Sequence, residues 1–270
     1  MYQSYEQLLD GRSYNGKPHF WNPTEIKKVP HTLIFDEDLD CESEWNVNQA
    51  IQRTLALGLF LEMPVGMWIS EGRKATLLPD VAKKLLQTNI SDEARHDAGF
   101  RYAAKTYPID QAVMAEAGLI AQNWLDSTEN TITLARNAEV GVFLAGGLAI
   151  LRLAGGTSLA DMAEQIARDE SRHVATNERV LSDLNMNPQN PSLAIRELVK
   201  STLDWLVGDL SIPGRFLGES FKFDKKFVME SSDELIETGV AKRLNSLLDI
   251  QVTASPMEMS NSSLYSRVLE

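Results

Sequence analysis

Two long apolar stretches of this chain each contain a single charged residue, and in both it is a glutamate. Glu62 is the only charge in residues 54–69, and Glu139 is the only charge in residues 137–151. Both stretches are shorter than the roughly 20 residues that a membrane-spanning helix needs, so we interpret them as core helices. A buried, isolated carboxylate is costly or takes up a proton unless a cation lies beside it. The pattern therefore predicts helices that pack around cations.

The spacing of apolar residues predicts an all-α protein. Helical periodicity with few breakers runs from about residue 44 to about residue 248. The predicted helices are 44–71, 79–106, 110–126, 128–154 and 158–185, followed by about 192–208, 213–230 and 233–248. The chain has no glycine-rich phosphate loop and no series of alternating strands, which argues against a nucleotide-binding fold. Helices are therefore expected to carry the chemistry.

Length, charge and the amino terminus narrow the class of protein. The 270 residues suit one domain, with an N-terminal arm at 1–43, a helical bundle at 44–250 and a flexible tail at 251–270. The net charge of -12 argues against direct nucleic-acid binding, because phosphate recognition needs clustered lysine and arginine. The amino terminus has no apolar signal segment, and the chain has a single cysteine. We expect a cytoplasmic protein that binds no membrane.

Two of the four histidines end the same five-residue motif, Asp-Glu-x-Arg-His, at residues 92–96 and 169–173. On a helix, a glutamate and a histidine three residues later lie on one face about one turn apart, so both can bind one metal ion. Glu62 lies 31 residues before the motif glutamate of the first copy, and Glu139 lies 31 residues before that of the second. The predicted metal ligands are Glu62, Glu93, His96, Glu139, Glu170 and His173.

This set of ligands is that of ferritin-like dimetal bundles, in which two helices each supply a glutamate and two others each supply Glu-x-x-His. A single Glu-x-x-His on a helix is usually a solvated polar pair. The two copies, their equal spacing and the glutamates in apolar stretches favour a dimetal site instead. Oxygen-rich ligation with one imidazole per metal suits iron and manganese better than zinc. We therefore predict a ferritin-like four-helix bundle that holds two metal ions per chain.

Three segments resemble the small (beta) subunit of class I ribonucleotide reductase, a member of the ferritin-like superfamily. Residues 20–26, Phe-Trp-Asn-Pro-Thr-Glu-Ile, resemble that family's N-terminal arm, and residues 165–170, Gln-Ile-Ala-Arg-Asp-Glu, resemble the stretch before its final ligand histidine. Residues 137–154 are similar to its third ligand helix. The resemblance implies a hydrogen-bonded radical or electron relay. Its members would be Trp21, Asp169 and His96, with Tyr265 as the tail tyrosine that passes the radical to a large subunit.

The chain also departs from that family in ways that affect its chemistry. Members that store a tyrosyl radical have tyrosine four residues after the first ligand histidine, where this chain has Phe100. The first ligand is Glu62, where many members have aspartate. The combination resembles the subgroup that keeps its oxidising equivalent on a Mn/Fe centre, so the resemblance implies an Fe/Fe or Mn/Fe pair. Only five residues follow Tyr265, which leaves a short tail for docking.

Three functional hypotheses follow. The first is a homodimeric small subunit that activates O2 and supplies an oxidising equivalent to a ribonucleotide reductase large subunit for deoxyribonucleotide synthesis. The second is a stand-alone oxygenase or oxidase, whose small organic substrate would lie in an apolar pocket near Phe100, Phe143 and Leu144. The third is iron storage or a metal-free scaffold. Storage is disfavoured because this chain has an extra arm and tail, an argument from fold analogy.

Overall fold

The computed structural model describes residues 2–10, 13–14, 17–18, 21–23, 41–152 and 158–207. Over these residues the chain is an all-α, ferritin-like bundle, as the apolar spacing predicted. The predicted helices 213–230 and 233–248, the tail 251–270 and Tyr265 lie outside the described residues. So does most of the predicted arm, and the single-domain assignment stays a prediction.

The elements are short at the amino terminus and long afterwards. Helix α1 spans Tyr5–Asp10, and strands β1 (Ser13–Tyr14) and β2 (Lys17–Pro18) form an antiparallel pair. The following helices are α2 (Cys41–Gly72), α3 (Asp80–Ala104), α4 (Gln111–Leu125), α7 (Ser158–Asp183) and α8 (Leu193–Val207). Between α4 and α7, the short helices α5 (Thr131–Asn137) and α6 (Leu148–Leu151) are joined by a π-helical segment, Ala138–Gly147. These bounds lie within a few residues of the predicted ones.

Helix α5, the π-helical segment and α6 form one continuous helix over residues 131–151, which contains Glu139. Its length and composition would suffice for a membrane span, but it is entirely buried inside the bundle. Two glycines allow neighbouring helices to approach it. A Cβ atom added at Gly146 would overlap Leu203, and one added at Gly147 would lie 3.2 Å from Thr54. Wide π-helical turns of this kind often occur beside functional sites.

Local signals fix the ends of two ligand-bearing helices. The side chain of Asn130 accepts hydrogen bonds from the backbone amides of Ile132 and Thr133, at 3.0 and 3.2 Å, and so caps α5. Helix α7 ends at Asp183 and is followed by Asn185, which has a left-handed backbone with φ of 57°. The amide of Met186 then donates to the carbonyl of Leu181 at 2.9 Å, which is the hydrogen bond of a Schellman motif.

Four helical units form a closed ring around the centre of the bundle. Helix α2 packs on α3, α3 packs on α7, α7 packs on the 131–151 helix, and that helix packs back on α2. Helix α4 covers α2, α8 covers the π-helical segment and α2, and α1 lies against α3 and α7. Each of the four central units carries one or two of the predicted metal ligands, so the fold directs all of them inwards.

Candidate metal centre

The structure brings the six predicted ligands together at the centre of the bundle. They form two overlapping groups, and within each group the candidate ligand atoms lie within 4.8 Å of one another. The His96 group is Glu62, Glu93, His96 and Glu170, and the His173 group is Glu93, Glu139, Glu170 and His173. All six residues are at most 1% exposed. These two buried groups could hold a pair of metal ions.

Glu93 and Glu170 belong to both groups because each divides its two oxygens between them. In Glu93, Oε1 lies 2.7 Å from Nδ1 of His173, and Oε2 lies 3.6 Å from Nδ1 of His96. In Glu170, Oε1 lies 3.2 Å from Nδ1 of His96, and Oε2 lies 3.8 Å from Nδ1 of His173. This is the placement expected of two carboxylates that bridge two cations.

Glu62 and Glu139 each approach only one histidine. Oε2 of Glu62 lies 3.5 Å from Nδ1 of His96, and Oε1 of Glu139 lies 3.7 Å from Nδ1 of His173. The two imidazole rings face each other with their centroids 5.7 Å apart. The site therefore has one terminal glutamate and one histidine on each side of a shared pair of carboxylates.

The outer nitrogens of the two histidines contact aspartates from the opposite motif. Nε2 of His96 lies 3.3 Å from Oδ2 of Asp169, and Nε2 of His173 lies 3.1 Å from Oδ2 of Asp92. A carboxylate at this distance holds the proton on Nε2, so Nδ1 faces the cluster and is the nitrogen that a metal ion would bind. The sequence analysis assigned a role to Asp169 but missed Asp92. The repeated aspartate of the Asp-Glu-x-Arg-His motif was the signal that could have identified it.

The three residues of the predicted relay are also brought together. The indole nitrogen of Trp21 donates a hydrogen bond to Oδ2 of Asp169 at 2.9 Å, and the same oxygen contacts His96. The indole stacks on the His96 ring, with centroids 6.2 Å apart and planes at 17°. Gly99 leaves room for it, since a Cβ atom there would lie 3.2 Å from the indole. Trp21 is 7% exposed, so it lies just beneath the surface.

Two arginines compensate the charge of these aspartates. Arg95 donates to Oδ1 of Asp92 at 2.7 Å and to Oδ2 of Asp169 at 3.3 Å, and it therefore links the two motifs. Arg172 donates to Oδ1 of Asp169. The guanidinium of Arg95 also lies 5.9 Å from the centroid of the Trp21 ring. Both arginines act on residues that hold the histidines and not on the candidate ligand atoms.

The unsatisfied polar atoms of the cluster match a cation site. Among the described residues, every oxygen of the four glutamates except Oε2 of Glu139 lacks a hydrogen-bond partner, as do both Nδ1 atoms. Oε1 of Glu93 and Nδ1 of His173 are among these atoms, and they lie 2.7 Å apart. Acceptor atoms whose lone pairs converge in this way are costly to bury unless a cation or protons bind them. The residues therefore fit a pair of divalent metal ions.

Without a metal ion, protons must compensate this cluster. Burial raises the pKa of Glu62 and Glu139 well above the usual carboxyl value, and burial together with the charge of Glu93 raises that of Glu170. Burial also opposes the charge on Glu93, but the charges of His173 and His96 outweigh it and lower the pKa of Glu93 to about 2.

The carboxylates around the two histidines decide the direction of their pKa shifts. Burial lowers the pKa of His96 and His173, but the surrounding carboxylates outweigh it. The pKa of His96 rises well above 6.5, and that of His173 rises to about 10. The metal-free site therefore combines imidazolium ions with the ionised carboxylate of Glu93 and with three carboxyl groups whose pKa is raised. Metal ions must displace those protons, because ligation needs the deprotonated forms.

One turn beyond each ligand histidine, the two halves of the site differ. Phe100 follows His96 by four residues and is fully buried, and its ring packs against Gly58 and Phe143. Asn177 follows His173 by four residues and donates from Nδ2 to Oε2 of Glu139 at 2.9 Å. The sequence analysis missed Asn177, which no repeat of the motif marks.

Comparison with protein-family models and with curated proteins gives no match. Among solved structures, one from Bacillus halodurans, described as a candidate class I ribonucleotide reductase, is 17% identical to this chain with a TM-score of 0.48. The match covers 98% of this chain and 98% of that chain. The ferritin-like description of the present fold rests on its own helices and their packing.

Proposed function

We propose that the protein is a dimetal-carboxylate oxidoreductase that activates O2. We further propose that it is a ribonucleotide reductase small subunit, which supplies an oxidising equivalent to a catalytic large subunit for deoxyribonucleotide synthesis. The observation that carries the proposal is the division of the Glu93 and Glu170 oxygens between two buried histidine groups. A structural salt-bridge network does not account for the cluster, because two histidines could neutralise only two of the four buried carboxylates.

The residues of the site have separate roles in this proposal. Glu62 and His96 would hold one metal ion, Glu139 and His173 would hold the other, and Glu93 and Glu170 would bridge them. The bound pair, Fe/Fe or Mn/Fe, would supply the redox chemistry with O2, which protein side chains alone do not provide. The protein positions the ions, keeps the histidines in the ligating tautomer and excludes water from the core.

The hydrogen-bonded path from His96 through Asp169 to Trp21 supports the proposal of a partner subunit. Asp169 accepts from Trp21 at 2.9 Å and holds the outer proton of His96, so the buried site is linked to a residue just below the surface. In this proposal the path carries an electron between the metal pair and the partner. Tyr265 would continue it, and Phe100 has no hydroxyl to oxidise, so the oxidising equivalent stays with the metals.

The metal content and the O2 response test the proposal that the protein is a dimetal oxidoreductase. The protein is purified from cells supplied with both iron and manganese, reduced without oxygen, and then exposed to O2. We expect about two metal ions per chain, as in ferritin-like dimetal proteins, and an O2-dependent optical or EPR change. Less than about half a metal ion per chain and no response to O2 would refute a redox dimetal site.

Nucleotide reduction with a cognate large subunit tests the proposal that the protein is a ribonucleotide reductase small subunit. We expect Trp21→Phe and Tyr265→Phe to retain the metals and to lose the activity. Trp205→Phe is a matched control, because Trp205 is 3% exposed and its indole nitrogen also donates to a carboxylate, that of Glu116 at 2.8 Å. Full activity in both relay variants would contradict the subunit role, and the control should remain active.

A stand-alone oxygenase or oxidase is the second candidate. It is favoured by the apolar environment next to the His96 group, where the rings of Phe100 and Phe143 have centroids 6.2 Å apart and both are at most 1% exposed. Two buried aromatic rings would suit an apolar organic substrate better than a radical relay. Formation of an O2-dependent product without a large subunit, unchanged in Trp21→Phe, would establish this candidate over the first. We propose a cytoplasmic homodimer in either case.

A further inference from the structure

An offset of 77 residues relates the two halves of the site. It maps Glu62 to Glu139, and it maps the whole motif at 92–96 onto the motif at 169–173. The crossed contacts follow the same rule, since His96 contacts Asp169 and His173 contacts Asp92. The two metal positions would therefore be equivalent if the residues around the ligands were also the same at this offset.

The equivalence fails where Phe100 corresponds to Asn177. Asn177 is 0% exposed, and its amide donates to Oε2 of Glu139 at 2.9 Å. Within the described part of the chain, its own Oδ1 is buried without a hydrogen-bond partner. The amide therefore holds one oxygen of Glu139 and leaves Oε1 of that residue facing His173 at 3.7 Å.

Glu62 has no such restraint. Neither of its oxygens has a hydrogen-bond partner among the described residues, and the position that corresponds to Asn177 is the apolar ring of Phe100. The Phe100 ring lies against Gly58, one turn before Glu62 on α2. The carboxylate of Glu62 can thus rotate or present both oxygens to an ion, whereas that of Glu139 is held by a fixed donor.

We propose that Asn177 is a positioning residue that makes the two metal positions unequal. It fixes Glu139 with Oε1 directed at the ion, so the His173 group binds a divalent cation more tightly and loads first. The His96 group, with the unrestrained Glu62, is the weaker and more adaptable position. The physical reason is preorganisation, since a ligand already held in place loses less conformational freedom on binding. This inference rests on the proposed dimetal site.

Titration of the metal-free protein with Mn²⁺ alone, without oxygen, tests the inference. Free Mn²⁺ is followed by EPR, and no turnover is required. The wild-type protein should show a tight and a weak class of site. Glu139→Gln should remove the tight class and Glu62→Gln the weak one, which assigns each class to its group independently of Asn177. Two equal classes, or the reverse assignment, would overturn the proposal.

The Asn177 variants then test the cause. Asn177→Leu should lower the affinity of the tight class about 10–100-fold and leave the weak class unchanged. Asn177→Ala serves as a second variant with less steric demand, and circular dichroism of both confirms that the metal-free proteins are folded. Thr176→Val is the matched control, because the buried Thr176 hydroxyl donates to the backbone carbonyl of Arg172 and, among the described residues, to no ligand candidate.

The outcomes separate this inference from the proposed function. If the wild type binds neither Mn²⁺ nor, in the same anaerobic titration, Fe²⁺, both fail. If it binds two ions with unequal affinity but Asn177→Leu and Asn177→Ala leave the tight class within twofold of the wild type, the dimetal site stands and the role of Asn177 is refuted. An equal loss in both classes, or the same loss in Thr176→Val, would likewise refute it.

Discussion

Nε2 of His173 and Oδ2 of Asp92 lie 3.1 Å apart, although 81 residues separate them in the chain. In this contact the aspartate comes from α3 and the histidine from α7. In the second contact, between His96 and Asp169, the histidine comes from α3 and the aspartate from α7. Each Asp-Glu-x-Arg-His motif thus supplies a candidate ligand histidine and also holds the histidine of the other motif. The two metal positions should therefore respond separately to loss of their respective aspartates.

Asp169→Asn should weaken metal binding at the His96 group, and Asp92→Asn should weaken it at the His173 group. An asparagine no longer provides a carboxylate to hold the Nε2 proton, and the expected loss is about 10–100-fold in affinity. Anaerobic Mn²⁺ titration measures it. Asp97→Asn is the control, since Asp97 follows His96 directly but pairs with Arg101 at 2.7 Å. A comparable loss in Asp97→Asn would contradict the assigned role of the other two aspartates.

The metal-free protein should become less stable as the pH rises from about 6.5 to about 10. The pKa of His173 is raised from 6.5 to about 10 in the folded state, so the folded protein binds a proton more tightly than the unfolded chain. That contribution is complete below pH 6.5 and is lost as the pH approaches 10. Thermal unfolding of chelator-treated protein across this range measures it. The decline should be shallower in His173→Gln, and an equally steep decline there would argue against His173 as the source.

Metal binding should release protons, and its affinity should rise with pH. The pKa values of His96 and His173 are raised by the neighbouring carboxylates, and burial raises that of Glu62, so these groups carry protons in the metal-free site. Divalent ions must displace them. Calorimetry of Mn²⁺ binding at pH 7 in phosphate and in Tris measures the release, since the two buffers differ in ionisation enthalpy. Equal heats in both buffers would show that the site is already deprotonated.

Gly58→Ala should destabilise the fold by about 1–3 kcal/mol, because a Cβ atom there would overlap the buried ring of Phe100. Urea unfolding of the metal-free protein measures the change in free energy of unfolding. Gly118→Ala is the matched control, since its Cβ would lie 3.7 Å from Phe60, in ordinary contact. It should stabilise α4 by about 0.5–1 kcal/mol. The double variant Gly58→Ala, Phe100→Leu should recover part of the loss, and no recovery would mean that the clash lies elsewhere.

The sequence predicted the long helices and the inward position of the six candidate ligands because both leave strong local marks. Apolar residues at helical spacing define α2 to α8 to within a few residues, and the isolated charges Glu62 and Glu139 stand out against apolar neighbours. Other features depend on how helices lie beside each other. The contact between His173 and Asp92 depends on the packing of α3 on α7, and its one mark in the sequence is the repeated aspartate of the Asp-Glu-x-Arg-His motif.

Two further features had no usable sequence signal. The π-helical segment Ala138–Gly147 is buried on all sides, so its apolar pattern has no polar face from which a change in turn size could be inferred. Asn177 is one of several polar residues on α7, and only the packed structure shows that it faces Glu139. The prediction for Tyr265 falls outside the described residues and stays a prediction.

The crossed aspartate–histidine contacts also bear on how such a chain could have arisen. A hairpin equivalent to α2 and α3 alone would leave the outer nitrogen of its histidine without the aspartate that holds it, because that aspartate belongs to α7. Two copies of the hairpin related by a twofold axis would supply it to each other. Duplication and fusion of the gene for such a hairpin would leave a constant sequence offset between the halves, as the ligands here have. Divergence after fusion would then account for Asn177 at the position that corresponds to Phe100. Two identical copies could not have encoded this difference.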